Sequence, residues 1–129
     1  MSLLILVVDD EPDVELLFRQ HFRRDLREAR YSMEFAQSAG MALQRIADAG
    51  DQSLILILSD INMPGMDGLT LLGEVKQRFP DLPVMLITAY GDDERRRRAN
   101  ELGAADFLAK PVDFDQLKAQ LRQLPTAAD

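Results

Sequence analysis

Four places along the chain put a chemically useful polar group just after a short apolar run. They are Asp9-Asp10 after Leu3–Val8, Asp60 after 54–58 and Ser59, Thr88 after 84–87, and Lys110 after 107–109 of the stretch Asp106–Ala109. Carboxylates bind cations and act as nucleophiles, a hydroxyl donates a hydrogen bond, and an ammonium stabilises developing negative charge. None of these types is informative alone, since acids at strand ends also solubilise loops and cap helices. Their shared position is what counts. Wholly apolar runs of this length fit strands buried on both faces of a parallel sheet. In such a sheet the residues just past the strands' carboxyl ends form one rim, where ligands bind at the switch point of strand order. With a flavodoxin-like order 2-1-3-4-5, strands one and three are neighbours about 5 Å apart, so Asp9, Asp10 and Asp60 converge. Lys110 is the one cation on that rim, and the four groups carry a formal charge of about -2, costly to hold in a cleft without a counter-ion. An all-oxygen donor set selects Mg2+, with Mn2+ as a substitute, over zinc or copper. A Mg2+ ion with few protein ligands keeps waters and takes up a phosphate oxygen. The chemistry points to a phosphoryl group.

The elements that must position these groups alternate between apolar runs and segments of helical period, the pattern of a doubly wound α/β fold with five parallel strands and helices on both faces. After Leu3–Val8, Pro12 suits the first turn of a helix whose stripe is Val14, Leu17, Phe18, Phe22 and Leu26; it is expected to run to about Ala29 as the longest of the set. Strand Ser32–Ala36 follows, and Ser38 caps a helix with Ala39, Ala42, Leu43, Ile46 and Ala47 inward. The third strand ends in an acid, and Met63-Pro64-Gly65-Met66-Asp67-Gly68 must be a tight loop. Leu71, Leu72, Val75 and Phe79 mark the next helix, 84–87 the fourth strand. The helix after Asp92 has little apolar content beyond Ala99 and Leu102, so it should be the most weakly anchored. Asp113 and Gln116 stand at capping-box spacing, with Val112 and Leu117 as a hydrophobic staple, before a last helix with Phe114, Leu117, Leu121 and Leu124 buried.

The 129 residues predict one domain with its core at about 3–124, and 125–129 as a tail or the start of a linker. Hydrophobic residues make up 47% and charged residues 29%, which excludes disordered and fibrous classes. Zero Cys excludes disulfides, thiolate metal sites and a cysteine nucleophile, and fits a cytoplasmic address. No apolar run approaches a membrane span. Fifteen Lys and Arg against 22 Asp and Glu give a net charge of -7, which opposes direct binding to nucleic acid or anionic lipid.

Val7-Val8-Asp9-Asp10-Glu11-Pro12, Asp60-Ile61-Asn62-Met63-Pro64-Gly65-Met66-Asp67-Gly68, Thr88-Ala89 and Lys110-Pro111, in that order at four strand ends, resemble the receiver domain of two-component response regulators. The resemblance implies a signalling switch, not an enzyme in its own right. Asp60 would be the phosphoacceptor, receiving its phosphoryl group from a sensor histidine kinase or phosphotransfer protein. Asp10, Asp60 and the backbone carbonyl of Asn62 would hold Mg2+ directly, with Asp9 acting through a water. Thr88 and Lys110 would stabilise the phosphoryl group, and Thr88 with Phe107 would form the switch. Phe107 lacks the hydroxyl of the tyrosine common there. Asn62 and Tyr90 would tune access of water to the acyl phosphate. The output would be a remodelled face made of the helix after Asp92, the fifth strand and the last helix, read by an output domain, an effector or a second copy of the chain. The Lys110-Pro111 bond is commonly cis in the family.

Asp13, Asp67, Asp106 and Asp113 need no more than first-turn, capping or strand-start roles, and His21 is expected as a partly buried spacer. The run Arg95, Arg96, Arg97 and Arg98 follows acids at a step of four, so pairs 92 with 96, 93 with 97 and 94 with 98 are expected on a solvated helix. Four consecutive arginines span the circumference, so some must face the fifth strand. Two alternatives use the same residues: a receiver-like interaction module that is never phosphorylated, and a Mg2+-dependent phosphohydrolase with an aspartyl-phosphate intermediate. The hydrolase usually needs a second acid where Asn62 stands, and a cap domain. Flavin binding is disfavoured because Asp9-Asp10-Glu11 would repel a bare phosphate.

Overall fold

The computed structural model describes residues 3–28, 32–49, 53–61, 67–88, 93–109 and 112–122. In chain order the elements are β1 (Leu3–Val8), α1 (Pro12–His21), α2 (Arg23–Arg27), β2 (Ser32–Ala36), α3 (Ala39–Ala49), β3 (Ser53–Asp60), α4 (Gly68–Arg78), β4 (Val84–Thr88), α5 (Asp93–Glu101), β5 (Asp106–Ala109) and α6 (Phe114–Arg122). The five strands are parallel in the order β2-β1-β3-β4-β5, as expected from the sequence.

The apolar strands divide their side chains between two cores. Leu6 and Val8 of β1, Ile57 of β3 and Val84 and Leu86 of β4 join the cluster covered by α3, α4 and Ala99 of α5. Their alternate neighbours Ile5, Val7, Leu56, Leu58, Met85 and Ile87 join the cluster covered by α1 and α6. This two-sided burial is why β1, β3 and β4 read as unbroken apolar runs. Their polar residues can emerge only at the strand ends.

The first helical segment departs from expectation. It is broken at Phe22, whose backbone (φ -104, ψ 14) separates α1 from the five-residue α2, so the longest helices are α3 and α4. Phe22 is fully buried, stacked on Phe18, edge-on to Phe114 and under the Lys118 ammonium. The bend keeps that ring in place while Leu26 still packs on the same cluster. Ala29 lies outside the described residues. Leu17, expected inward, is 47% exposed, and Phe79, Leu102 and Ala47 are also exposed. Phe79 caps the C-terminus of α4, beyond the turn that packs on the sheet. His21 is exposed too, lying flat on Phe114 at 3.9 Å between ring centroids.

The expected caps are present. Ser38 Oγ accepts from Met41 N at 3.1 Å, and Asp113 accepts from Gln116 N at 3.1 Å. Val112 and Leu117 share one cluster, as a staple should. Gly50, Asp51 and Leu124 lie outside the described residues. No helix among the described residues is long and apolar enough to cross a membrane.

Candidate functional site

Asp9 follows the last residue of β1, Asp60 is the last residue of β3, and these strands pair directly, Val8 opposite Ser59. Carboxylate oxygens of Asp9, Asp10 and Asp60 all lie within 4.8 Å of one another. Asp60 is 2% exposed and Asp9 8%, with Asp10 half-buried at the mouth. Three like charges this close, two of them buried, are the arrangement a hard divalent cation neutralises, and the all-oxygen donor set fits Mg2+. The N-terminus of α1 begins two residues after Asp10 and lends a partial positive charge to the same corner.

Local bonds hold Asp9 and the strand end that carries Asp60. Asp9 N donates to the Ala36 carbonyl at 3.0 Å, which ties the end of β1 to β2. One oxygen of Asp9 accepts from Glu11 N at 2.9 Å, so the side chain also shapes the turn into α1. Beyond Asp60 the ladder continues one step, with Ile61 N donating to the Ile87 carbonyl at 3.2 Å. Thr88, at the end of β4, is 2% exposed. Its register partner across the sheet is Ala109, and Leu86 is opposite Phe107. Thr88 has the strand parity of Val84 and Leu86, and Phe107 packs on that same side, half-buried. Asp9, Asp10, Asp60 and Thr88 therefore meet at one rim. Lys110, Asn62 and Tyr90, together with Pro111, Met63 and Met66, lie outside the described residues.

Gly68 closes the loop motif, and its spacing in the sequence shows no role for it. A Cβ on Gly68 would stand 2.4 Å from the Asp60 carbonyl oxygen and 2.8 Å from the Ile61 Cα. Gly68 N donates to the Ile61 carbonyl at 2.9 Å, so α4 starts directly against the backbone that carries Asp60. The Asp67-Gly68 pair was the available signal, a cap followed by the one residue that fits. Asp67 accepts from Thr70 N at 2.9 Å and from Thr70 Oγ1 at 3.0 Å. Asp67→Ala should cost about 1 kcal/mol, lowering the melting temperature by about 3–4 °C in calorimetry.

The arginine run behaves differently from the ion-pair expectation. Among the described residues neither Asp93 with Arg97 nor Glu94 with Arg98 forms an ion pair, and Asp92 lies outside them. The expectation that some arginines face the fifth strand holds: the Arg96 guanidinium carbon sits 5.2 Å from the centre of the Phe107 ring.

Residues 5–122 match the family model of the response regulator receiver domain. The chain is 37% identical over 116 residues to the DNA-binding transcriptional regulator NtrC of Escherichia coli, covering 90% of this chain and 23% of that protein. It is 36% identical over 124 residues to the response regulator MprA of Mycobacterium bovis, covering 96% of this chain and 51% of that one. Among solved structures, the signal receiver domain of an HD domain-containing protein from Pseudomonas fluorescens superposes with a TM-score of 0.82 at 31% identity, over 95% of this chain and 94% of that. The chain spans about half or less of the length of these two curated relatives.

Proposed function

The chain belongs to the response regulator receiver domain family, and on that premise we propose that it is a two-component switch loaded by Mg2+-dependent phosphoryl transfer to Asp60. The observation that carries this reading is the convergence of Asp9, Asp10 and Asp60 within 4.8 Å at adjoining strand ends. Asp10, Asp60 and the Asn62 backbone carbonyl would hold the ion, with Asp9 acting through a water. When bound, Mg2+ neutralises the crowded carboxylates and offsets charge on the phosphoryl oxygens.

The chain's own residues do the rest. An Asp60 carboxylate oxygen forms a bond to phosphorus while the phosphorus–nitrogen bond of a kinase phosphohistidine breaks, and the bonding pair leaves with the imidazole nitrogen. The transition state is loose, with charge spread over three oxygens, so placement of donors matters most. Thr88 and Lys110 supply those donors. The added charge then shifts an equilibrium in the face of α5, β5 and α6 through Thr88 and the half-buried Phe107. Asn62 and Tyr90 set how readily water reaches the acyl phosphate.

Residues 3–124 act as the receiver unit. The relatives are described as a transcriptional regulator and a response regulator, so the face is read by an output domain, an effector protein or a second receiver, in the cytoplasm and without direct nucleic-acid contact by this unit. The test is intact mass after incubation with acetyl phosphate or phosphoramidate, with and without Mg2+, beside Asp60→Ala, and a beryllofluoride titration to guard against loss of a labile adduct. One Mg2+-dependent phosphate adduct that disappears in the variant is the expected result. No adduct together with no beryllofluoride response would leave an interaction module that is never phosphorylated.

A further inference from the structure

α5 is an unusual helix to find packed on a sheet. Its sequence is Asp-Glu-Arg-Arg-Arg-Arg-Ala-Asn-Glu, its single buried side chain is Ala99, and the next apolar residue, Leu102, is 40% exposed. At helical spacing the arc that contains Ala99 also contains Arg95 and Arg96, four and three residues earlier. Positions that would hold leucines in a firmly docked helix hold arginines here. Arg95 is half-buried, and Arg96 places its guanidinium over the Phe107 ring at 5.2 Å. Phe107 is itself half-buried, on the edge strand β5, on the same side of the sheet as the buried Thr88. The Arg96 contact therefore joins the weakly held helix to the one large side chain on that side of β5.

We propose that Arg96 is a positioning residue that latches α5 onto Phe107 in the resting chain, so that its guanidinium sets how readily the chain switches. The inference rests on the proposed phosphorylation switch and adds to it the element that holds the unloaded state. A cation on a ring face requires the ring to keep that face outward, and a phenylalanine has no hydroxyl with which to secure itself otherwise. Movement of Phe107 toward the space behind Thr88 would break the contact. The contact thus favours the resting arrangement, and its removal enlarges the fraction of chains able to bind a phosphoryl group tightly. Apparent affinity for a phosphoryl mimic rises in proportion to that fraction.

The experiment is an NMR or calorimetric titration of the whole chain with beryllofluoride at saturating Mg2+. Arg96→Met keeps the reach of the side chain and removes the charge, and should lower the beryllofluoride midpoint about two- to fivefold, the range expected for an exposed cation–π contact. Arg97→Met, an equal charge change on an exposed neighbour, should leave the midpoint in place, and in a Phe107→Leu background Arg96→Met should have no further effect. A wild-type response with Arg96→Met shifting the midpoint no more than Arg97→Met, or upward, or equally in the Phe107→Leu background, would overturn the latch and leave the switch standing. A wild-type chain that gives no response to beryllofluoride overturns both.

Discussion

Gly68→Ala is expected to lower stability by about 2–4 kcal/mol and to slow formation of the phosphate adduct by about tenfold or more. Alanine is ordinarily the better helix residue, by about 0.5–1 kcal/mol. Here the new methyl would stand 2.4 Å from the Asp60 carbonyl oxygen and 2.8 Å from the Ile61 Cα. Both are backbone atoms, so no side-chain rotation relieves the overlap. Either the first turn of α4 moves off β3 or the end of β3 moves away from β1, and the second outcome displaces Asp60 from Asp9 and Asp10. Gly73, in the same helix, is the internal control, because nothing lies within 4 Å of a Cβ built there. Gly73→Ala should be neutral or stabilising by up to about 1 kcal/mol. Calorimetry of the two variants, with adduct formation followed by mass, checks the pair. Equal stability changes at the two glycines would show that the close approach of α4 to Asp60 has no energetic weight.

The positions of the strands were legible as unbroken apolar runs, whereas their order came from the flavodoxin-like expectation and their parity was silent, because both alternating sets of side chains are apolar and buried. The convergence of Asp9, Asp10 and Asp60 followed from making β1 and β3 neighbours, and the observed register, Val8 opposite Ser59, brings the strand ends level. The break at Phe22 was not legible. Val14, Phe18, Phe22 and Leu26 keep helical spacing straight through it, and the hydrogen bonds from Phe22 N to Phe18 and from Leu26 N to Phe22 persist on both sides. What bends the chain is tertiary: four aromatic rings, Phe18, Phe22, Phe35 and Phe114, assemble from three separate segments. Leu17 and Phe79 are exposed although their spacing points inward, because a stripe drawn by spacing is wider than the strip of sheet available to cover it. The role of Gly68 is silent in the sequence for a related reason. A spacing rule shows where a turn must be, whereas a 2.4 Å approach between a helix start and a strand end exists only in three dimensions.

The same convergence that makes the site useful makes it costly without a cation. Asp60→Asn is expected to abolish the adduct and also to raise the stability of the metal-free chain by about 1–3 kcal/mol. Unit charges at a separation near the 4.8 Å limit of this cluster repel by about 3–4 kcal/mol at an effective dielectric of 20, and by under about 1 kcal/mol in bulk water. Asp60 and Asp9 are nearly buried, which favours the stronger end, while the half-exposed Asp10 and the N-terminus of α1 weaken it. Asparagine keeps the shape and removes one charge, so two of three repulsive pairs are relieved without opening a cavity. Mg2+ should achieve the same relief in the wild type, adding about 2.7 kcal/mol at a hundredfold excess over its dissociation constant. Melting in EDTA and in saturating Mg2+ therefore gives a crossed pattern. The variant is ahead without the ion, and the wild type recovers most or all of the difference with it, because Asp9 and Asp10 alone bind Mg2+ more weakly. A variant less stable than the wild type in EDTA would mean that Asp60's attractive partners outweigh the repulsion. A wild type indifferent to Mg2+ would remove the metal from the mechanism altogether.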